Sequence, residues 1–133
     1  MSASDPDRDA SRHWLDLARG DLRAAHVLTA DRSLPPRIAV VSAHQAAEKA
    51  LKALIVSIGS DPPRSHDLVL LAQRVASRLV LEVDETDLRA LTDAYAEARY
   101  PPHMGVEYDA AESAAFVAIA ARIVGQVVRE LET

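Results

Sequence analysis

Apolar and polar positions follow a helical period along most of this chain, and no stretch alternates with the period of two that marks a strand. The clearest run is VSAHQAAEKALKALIVSI, Val41 to Ile58. At 3.6 residues per turn, Val40, Ala43, Ala47, Leu51, Leu54 and Ile58 fall on one apolar face, and His44, Glu48 and Lys52 form an (i, i+4, i+8) polar line beside it. That run also holds the chain's two lysines, Lys49 and Lys52. A specific polar line beside a core-forming stripe points to a functional surface or a dimer seam.

The same periodicity predicts four further helices. The first starts near Ser11 or slightly earlier and carries Trp14, Ala18, Leu22, Ala25 and Leu28 as far as Ala30. Gly20 sits inside it, where glycine costs about 1 kcal/mol relative to alanine. DRSLPP, Asp31 to Pro36, breaks the pattern, and helix two runs from Arg37 to Ile58 with Gly59 as its C-terminal cap. After the SDPPRSH loop, Ser65 or Asp67 caps a third helix with the stripe Leu68, Leu71, Val75 and Leu79. Asp84 caps a fourth, stapled by Val83 and Leu88, with the stripe Leu88, Leu91 and Tyr95 and an end before Pro101. Asp109 and Glu112 form a capping box for a fifth, which carries Val117, Ala121, Val124, Val128 and Leu131. Short loops between such helices predict an all-α fold, an antiparallel up-down bundle of four to five helices. Residues 1–10 read as a disordered tail and 11–133 as one helical domain.

Composition narrows the function. At 133 residues, one domain can bury a full core, and 49% hydrophobic with 26% charged residues is the balance of an ordinary globule. A net charge of −5 argues against non-specific nucleic-acid binding, without excluding a local basic site. Without cysteine there is no disulfide, zinc-thiolate site or thiol nucleophile. No run reads as long and apolar enough to cross a membrane, and MSASDPDRDA is too polar for a signal peptide, so a cytoplasmic location is expected.

The sharpest chemistry lies in Arg99-Tyr100-Pro101-Pro102-His103, followed by Tyr108. An arginine at a helix end can fork a phosphate while a histidine in the next loop handles a proton, the pairing that metal-independent RNA cleavage needs. The plainer reading is an arginine on its own helix carbonyls and a solvated histidine. His44 and Glu48 could share a metal ion, but no third ligand is apparent; Glu48 and Lys52 read better as an ordinary helix pair. Asp21 lies near the inner edge of helix one, either at the surface or buried with Arg99 as its partner. His66 reads as a loop or capping residue, and His13 and His26 have no visible partners. Trp14 and Phe116 read as core or interface residues, since 4% aromatic content disfavours a base-stacking surface. No cofactor or metal is expected.

WLDLARGDLRAA (Trp14 to Ala25), HQAAEKALKAL (His44 to Leu54), SHDL (Ser65 to Leu68) and AYAEARYP (Ala94 to Pro101) occur here in an order that resembles the HEPN domain family. The resemblance spans about Ser11 to Leu131. It implies a helical bundle that forms a homodimer and works with a separately encoded minimal nucleotidyltransferase, as a toxin–antitoxin pair or as two halves of one enzyme. It also implies nucleotide or RNA as ligand, with His44, Glu48, Lys52, Tyr100 and Asp21 as candidate ligand-binding residues. Ribonuclease members carry an arginine and a histidine with four to six residues between them, a role that would fall on Arg99 and His103. Here only three residues separate the two, and Tyr100 stands where a small polar residue is common. In some toxins of the family a tyrosine just past that histidine accepts a nucleotidyl group; Tyr108 lies further along. A third expectation is a helical assembly module without a ligand.

Overall fold

The computed structural model of the chain describes residues 5–101 and 106–133. Five helices occur among them and no strand: α1 Asp5–Ala30, α2 Pro36–Ser57, α3 Leu68–Val75, α4 Glu85–Ala98 and α5 Ala110–Leu131. The first helix begins at Asp5, so residues 5–10, expected as disordered tail, are helical.

The predicted boundaries of α2, α4 and α5 hold to within about two residues, for the reasons read in the sequence, whereas α3 stops at Val75 and leaves Leu79 of its expected stripe beyond the helix end. Gly59 follows the end of α2 at φ 81°, a backbone conformation glycine takes without a Cβ clash. Asp67 caps α3 by accepting from the Val69 and Leu70 amides, and Ser65 Oγ in turn accepts from the Asp67 amide. Asp84 accepts from the Asp87 amide at the start of α4. Asp109 and Glu112 form the full capping box of α5. The glycine at position 20 meets nothing within 4 Å at the place of a Cβ, so it marks no close helix contact.

α2 is the axis of the bundle and touches all four other helices. Ser11 Oγ donates to the Ala53 carbonyl, so the start of α1 lies against the end of α2 and the two run antiparallel. Ser113 at the start of α5 bonds the Pro36 carbonyl, so α5 runs alongside α2 in the same direction. Val40 packs with Ala94 and Ala98, which sets α4 antiparallel to α2. Leu51, Leu54, Ile55, Leu68, Leu71, Leu91, Ile123 and Val127 are fully buried between these helices. Buried alanines at 43, 46, 47, 50 and 53 let the neighbours approach the α2 backbone closely.

The membrane expectation needs a correction. Among the described residues one helix, α5, is long and apolar enough by length and composition to cross a membrane. In the bundle its inward stripe, Val117, Ala120, Ile123, Val124 and Val127, is buried in the shared core.

Candidate functional site

The polar line of α2 is not beside the core but inside it. His44 is fully buried, and Glu48 and Lys52 are only 4% and 7% exposed. Glu48 is the hub. Its Oε1 accepts from His66 Nδ1 at 2.6 Å and its Oε2 accepts from Lys52 Nζ at 3.0 Å. The ordinary surface helix pair expected for Glu48 and Lys52 is thus a buried ion pair, with the lysine ammonium also 5.8 Å from the Trp14 ring centroid. A buried carboxylate is tolerated only when its oxygens are engaged, and here both are.

His44 Nε2 donates to the His66 carbonyl at 2.8 Å, which places its proton on that nitrogen and leaves Nδ1 bare. Nδ1 is buried with no hydrogen-bond partner and lies 3.9 Å from Glu48 Oε1, the oxygen His66 already occupies. Burial is the main cause that pulls the His44 pKa down to about 4, so the ring stays neutral near pH 7. It stacks on Tyr95 at 4.0 Å between centroids and 12° between planes. His44 thus positions the site: one face braces Tyr95, and Nε2 fixes the loop that carries His66.

At the surface above this hub stand His66 and Arg99. The His66 side chain is 58% exposed even though its Nδ1 reaches the buried carboxylate. Its ring centroid lies 5.3 Å from that of Tyr95. Arg99, exposed at the C-terminal cap of α4, lays its guanidinium 4.6 Å from the same centroid, and its Nη1 donates to the Tyr95 hydroxyl at 3.2 Å. Tyr95 is one helical turn before Arg99, so α4 sets the pair by itself. A histidine fixed through one nitrogen and an arginine held over an aromatic ring therefore face solvent around one buried tyrosine. Such a site can hold an anion and take up a proton beside it.

Not all the predicted residues gather here. Asp21 does not meet Arg99; its carboxylate pairs with Lys49 at 2.7 Å, because the α1 face that carries it lies on α2 rather than on α4. Tyr100 is 56% exposed and lies past the end of α4, whereas the α2 polar line is buried. His103 lies outside the described residues, so its relation to Arg99 is not described. Tyr108 donates to Glu97 at 2.7 Å and packs edge-on against Phe116, and burial with that carboxylate pushes its pKa upward. Among the described residues no group of three His, Cys, Asp or Glu side chains is placed to hold a metal ion. At Glu48, the Lys52 ammonium already fills the position a cation would take.

His66 and Tyr95 are the residues that sequence reasoning missed. Tyr95 reads along the chain only as a core position, although its place four residues before Arg99 sets the two on one helix face. His66 gives no periodic signal, because it lies in a loop and meets Glu48 only through the fold.

The chain is an all-helical bundle with His44, Glu48 and Lys52 buried on its central helix and Arg99 at the end of a helix packed on it. It is similar to the crystal structure of TT1696 from Thermus thermophilus, with 27% identity, a TM-score of 0.72, and coverage of 90% of this chain and 97% of that one. ST0689, an archaeal HEPN homologue, is similar at 21% identity and a TM-score of 0.49, with 92% of each chain covered. No curated protein matches. The HEPN domain model matches residues 11–131, and the chain belongs to the HEPN family.

Proposed function

We propose that this HEPN chain is a nucleotide- or nucleic-acid-binding subunit, with Arg99 as the phosphate contact, working beside a separate minimal nucleotidyltransferase. In this reading it acts as a homodimer and belongs to a toxin–antitoxin pair. The observation that carries it is the exposed Arg99 guanidinium, held in place by Tyr95 before any ligand arrives. An arginine fixed in advance loses less side-chain freedom on binding, and its planar fork matches two phosphate oxygens. His66, exposed against the same Tyr95 ring, adds a ring nitrogen to that surface.

Titration of the purified protein with AMP and with a labelled single-stranded RNA tests this reading. Arg99→Ala is expected to lower affinity by roughly tenfold or more with the melting temperature unchanged, since the side chain is exposed. An unchanged affinity sinks the reading.

A metal-independent endoribonuclease using Arg99 and His103 is the second reading, favoured by the same braced arginine. It expects the labelled RNA to be cut in EDTA, and the cut to disappear in both Arg99→Ala and His103→Ala. An assembly module without a ligand expects neither binding nor cutting.

A further inference from the structure

A groove of about 890 Å³ opens at the other end of the bundle from Arg99, between the first half of α1 and the last turns of α2 and α5. It reaches Ser57 and Ile58 at the end of α2. Ala98, the neighbour of Arg99, packs on Val40 near the start of that helix, so about 25 Å of α2 separates the two places.

The cations that line the groove are all arginines. Arg8, Arg12 and Arg19 stand at i, i+4 and i+11 of α1, which sets them on one face over about 16 Å, three helical turns. Arg78, just past α3, brings a fourth guanidinium. Asp16 and Glu132 are the acidic side chains in the lining, so arginines outnumber them on a chain whose net charge is −5.

Two of these arginines already hold carboxylates. Arg19 Nη2 donates to Glu132 at 3.0 Å, and Arg78 Nε donates to Glu130 at 3.1 Å while its Nη1 reaches Ser57 Oγ. Both pairs are solvent-exposed, and such pairs cost little to open, so an incoming carboxylate can share or replace the α5 glutamates. Arg12 makes no ion pair among the described residues and is exposed.

Between the arginines the lining is apolar: Leu15 of α1, Ile58 past α2 and Leu131 of α5. No aromatic ring lines the groove, so nothing there stacks a nucleic-acid base. Carboxylate-binding forks around an aliphatic patch call for a ligand that is acidic and apolar at once. We infer that this groove docks an acidic amphipathic helix of a partner protein. Glutamates one turn apart on such a helix match Arg8 and Arg12, which are one turn apart on α1, and its leucines cover Leu15, Ile58 and Leu131. This surface is separate from Arg99 and does not depend on the phosphate reading.

Fluorescence anisotropy with a labelled synthetic helix of about 15 residues, glutamates on one face and leucines on the adjoining one, tests the inference. The peptide should bind with a Kd below about 100 μM, and its glutamine version roughly tenfold or more weaker. Replacing the leucines by serines should weaken it as well. Arg12→Glu, an exposed substitution whose folding is checked by thermal melting, should lower affinity roughly fivefold or more and leave AMP titration unchanged. Arg99→Ala should leave peptide binding unchanged. A folded protein that ignores the peptide, equal affinity for the glutamine version, or no effect of Arg12→Glu overturns the docking site. So does a labelled single-stranded RNA that binds in the peptide's place and is lost in Arg12→Glu, which would make the groove a nucleic-acid track. Sedimentation of the unliganded protein supplies the last check: a dimer that dissociates in Arg12→Glu would assign the groove to a second copy and overturn the partner helix.

Discussion

α2 and α5 are both 22-residue helices that run alongside one another in the same core, yet they fill it in different ways. α5 presents Val117, Ala120, Ile123, Val124 and Val127 inward and starts from a complete capping box. Its contribution is buried apolar area and well-satisfied ends. α2 starts at Pro35–Pro36 with no side-chain cap and places His44, Glu48 and Lys52 at positions that aliphatic side chains could fill. Replacing a buried ion pair with well-packed apolar residues is often neutral or stabilising, so stability alone does not account for this choice. The difference teaches where to look for function: the helix that carries charge into the core is the one that holds His66 and braces Tyr95.

Truncations on the two helices should break them by different routes. Glu48→Ala leaves the Lys52 ammonium buried without its partner, a loss of about 3–5 kcal/mol. Ile123→Ala on α5 opens a cavity at about 2–5 kcal/mol, a cost set by packing alone. Chemical denaturation measures both. The comparison is sharpened by the pair Glu48→Ala, Lys52→Met, which should recover part of the first loss, because the orphaned charge is gone.

A second contrast is pH. His44 has a folded pKa near 4 against about 6.5 when unfolded. The unfolded chain therefore binds the proton first as pH falls, and stability is lost between about pH 6.5 and pH 4, by up to about 3 kcal/mol. Ile123→Ala should keep that slope, whereas His44→Gln should flatten it across the same window. Denaturation midpoints measured at a series of pH values decide the matter, and a wild-type slope in His44→Gln would show that another group is responsible.

The smallest effect belongs to the cap. Asp109→Ala removes the side-chain half of the α5 capping box and should cost about 1 kcal/mol. Phosphate affinity should not change, since the Asp109 side chain bonds the Glu112 amide and not Arg99. A fall in affinity with this variant would mean that α5 shapes the site after all.

The helices were legible because their signals are local. Asp84, Asp109 and Gly59 declare helix ends through hydrogen bonds and backbone angles made within a few residues, and the stripes Leu68–Leu71–Val75 and Leu88–Leu91–Tyr95 declare faces through spacing alone. The site was only half legible. Its α2 members stood out as a line, and Arg99 stood out at a helix end. Their depth and their partners did not, because burial depends on which helix covers which face. α4 laid over α2 turned an expected surface line into the floor of a site. Asp21, expected near Arg99 from its place at an inner edge, met Lys49 instead, for the same reason.

The order of residues was enough to specify the helical class, the helix ends, and the side chains able to carry charge on α2. Periodicity and capping act over one or two turns, and that range is written along the chain. Only the packing of the helices settled that Glu48 would be buried, that His66 would reach it from a loop 18 positions away, and that Tyr95 would stand between His44 and Arg99 as a shared contact. A carboxylate becomes a hub only when neighbouring helices exclude water around it, and no local spacing encodes that exclusion.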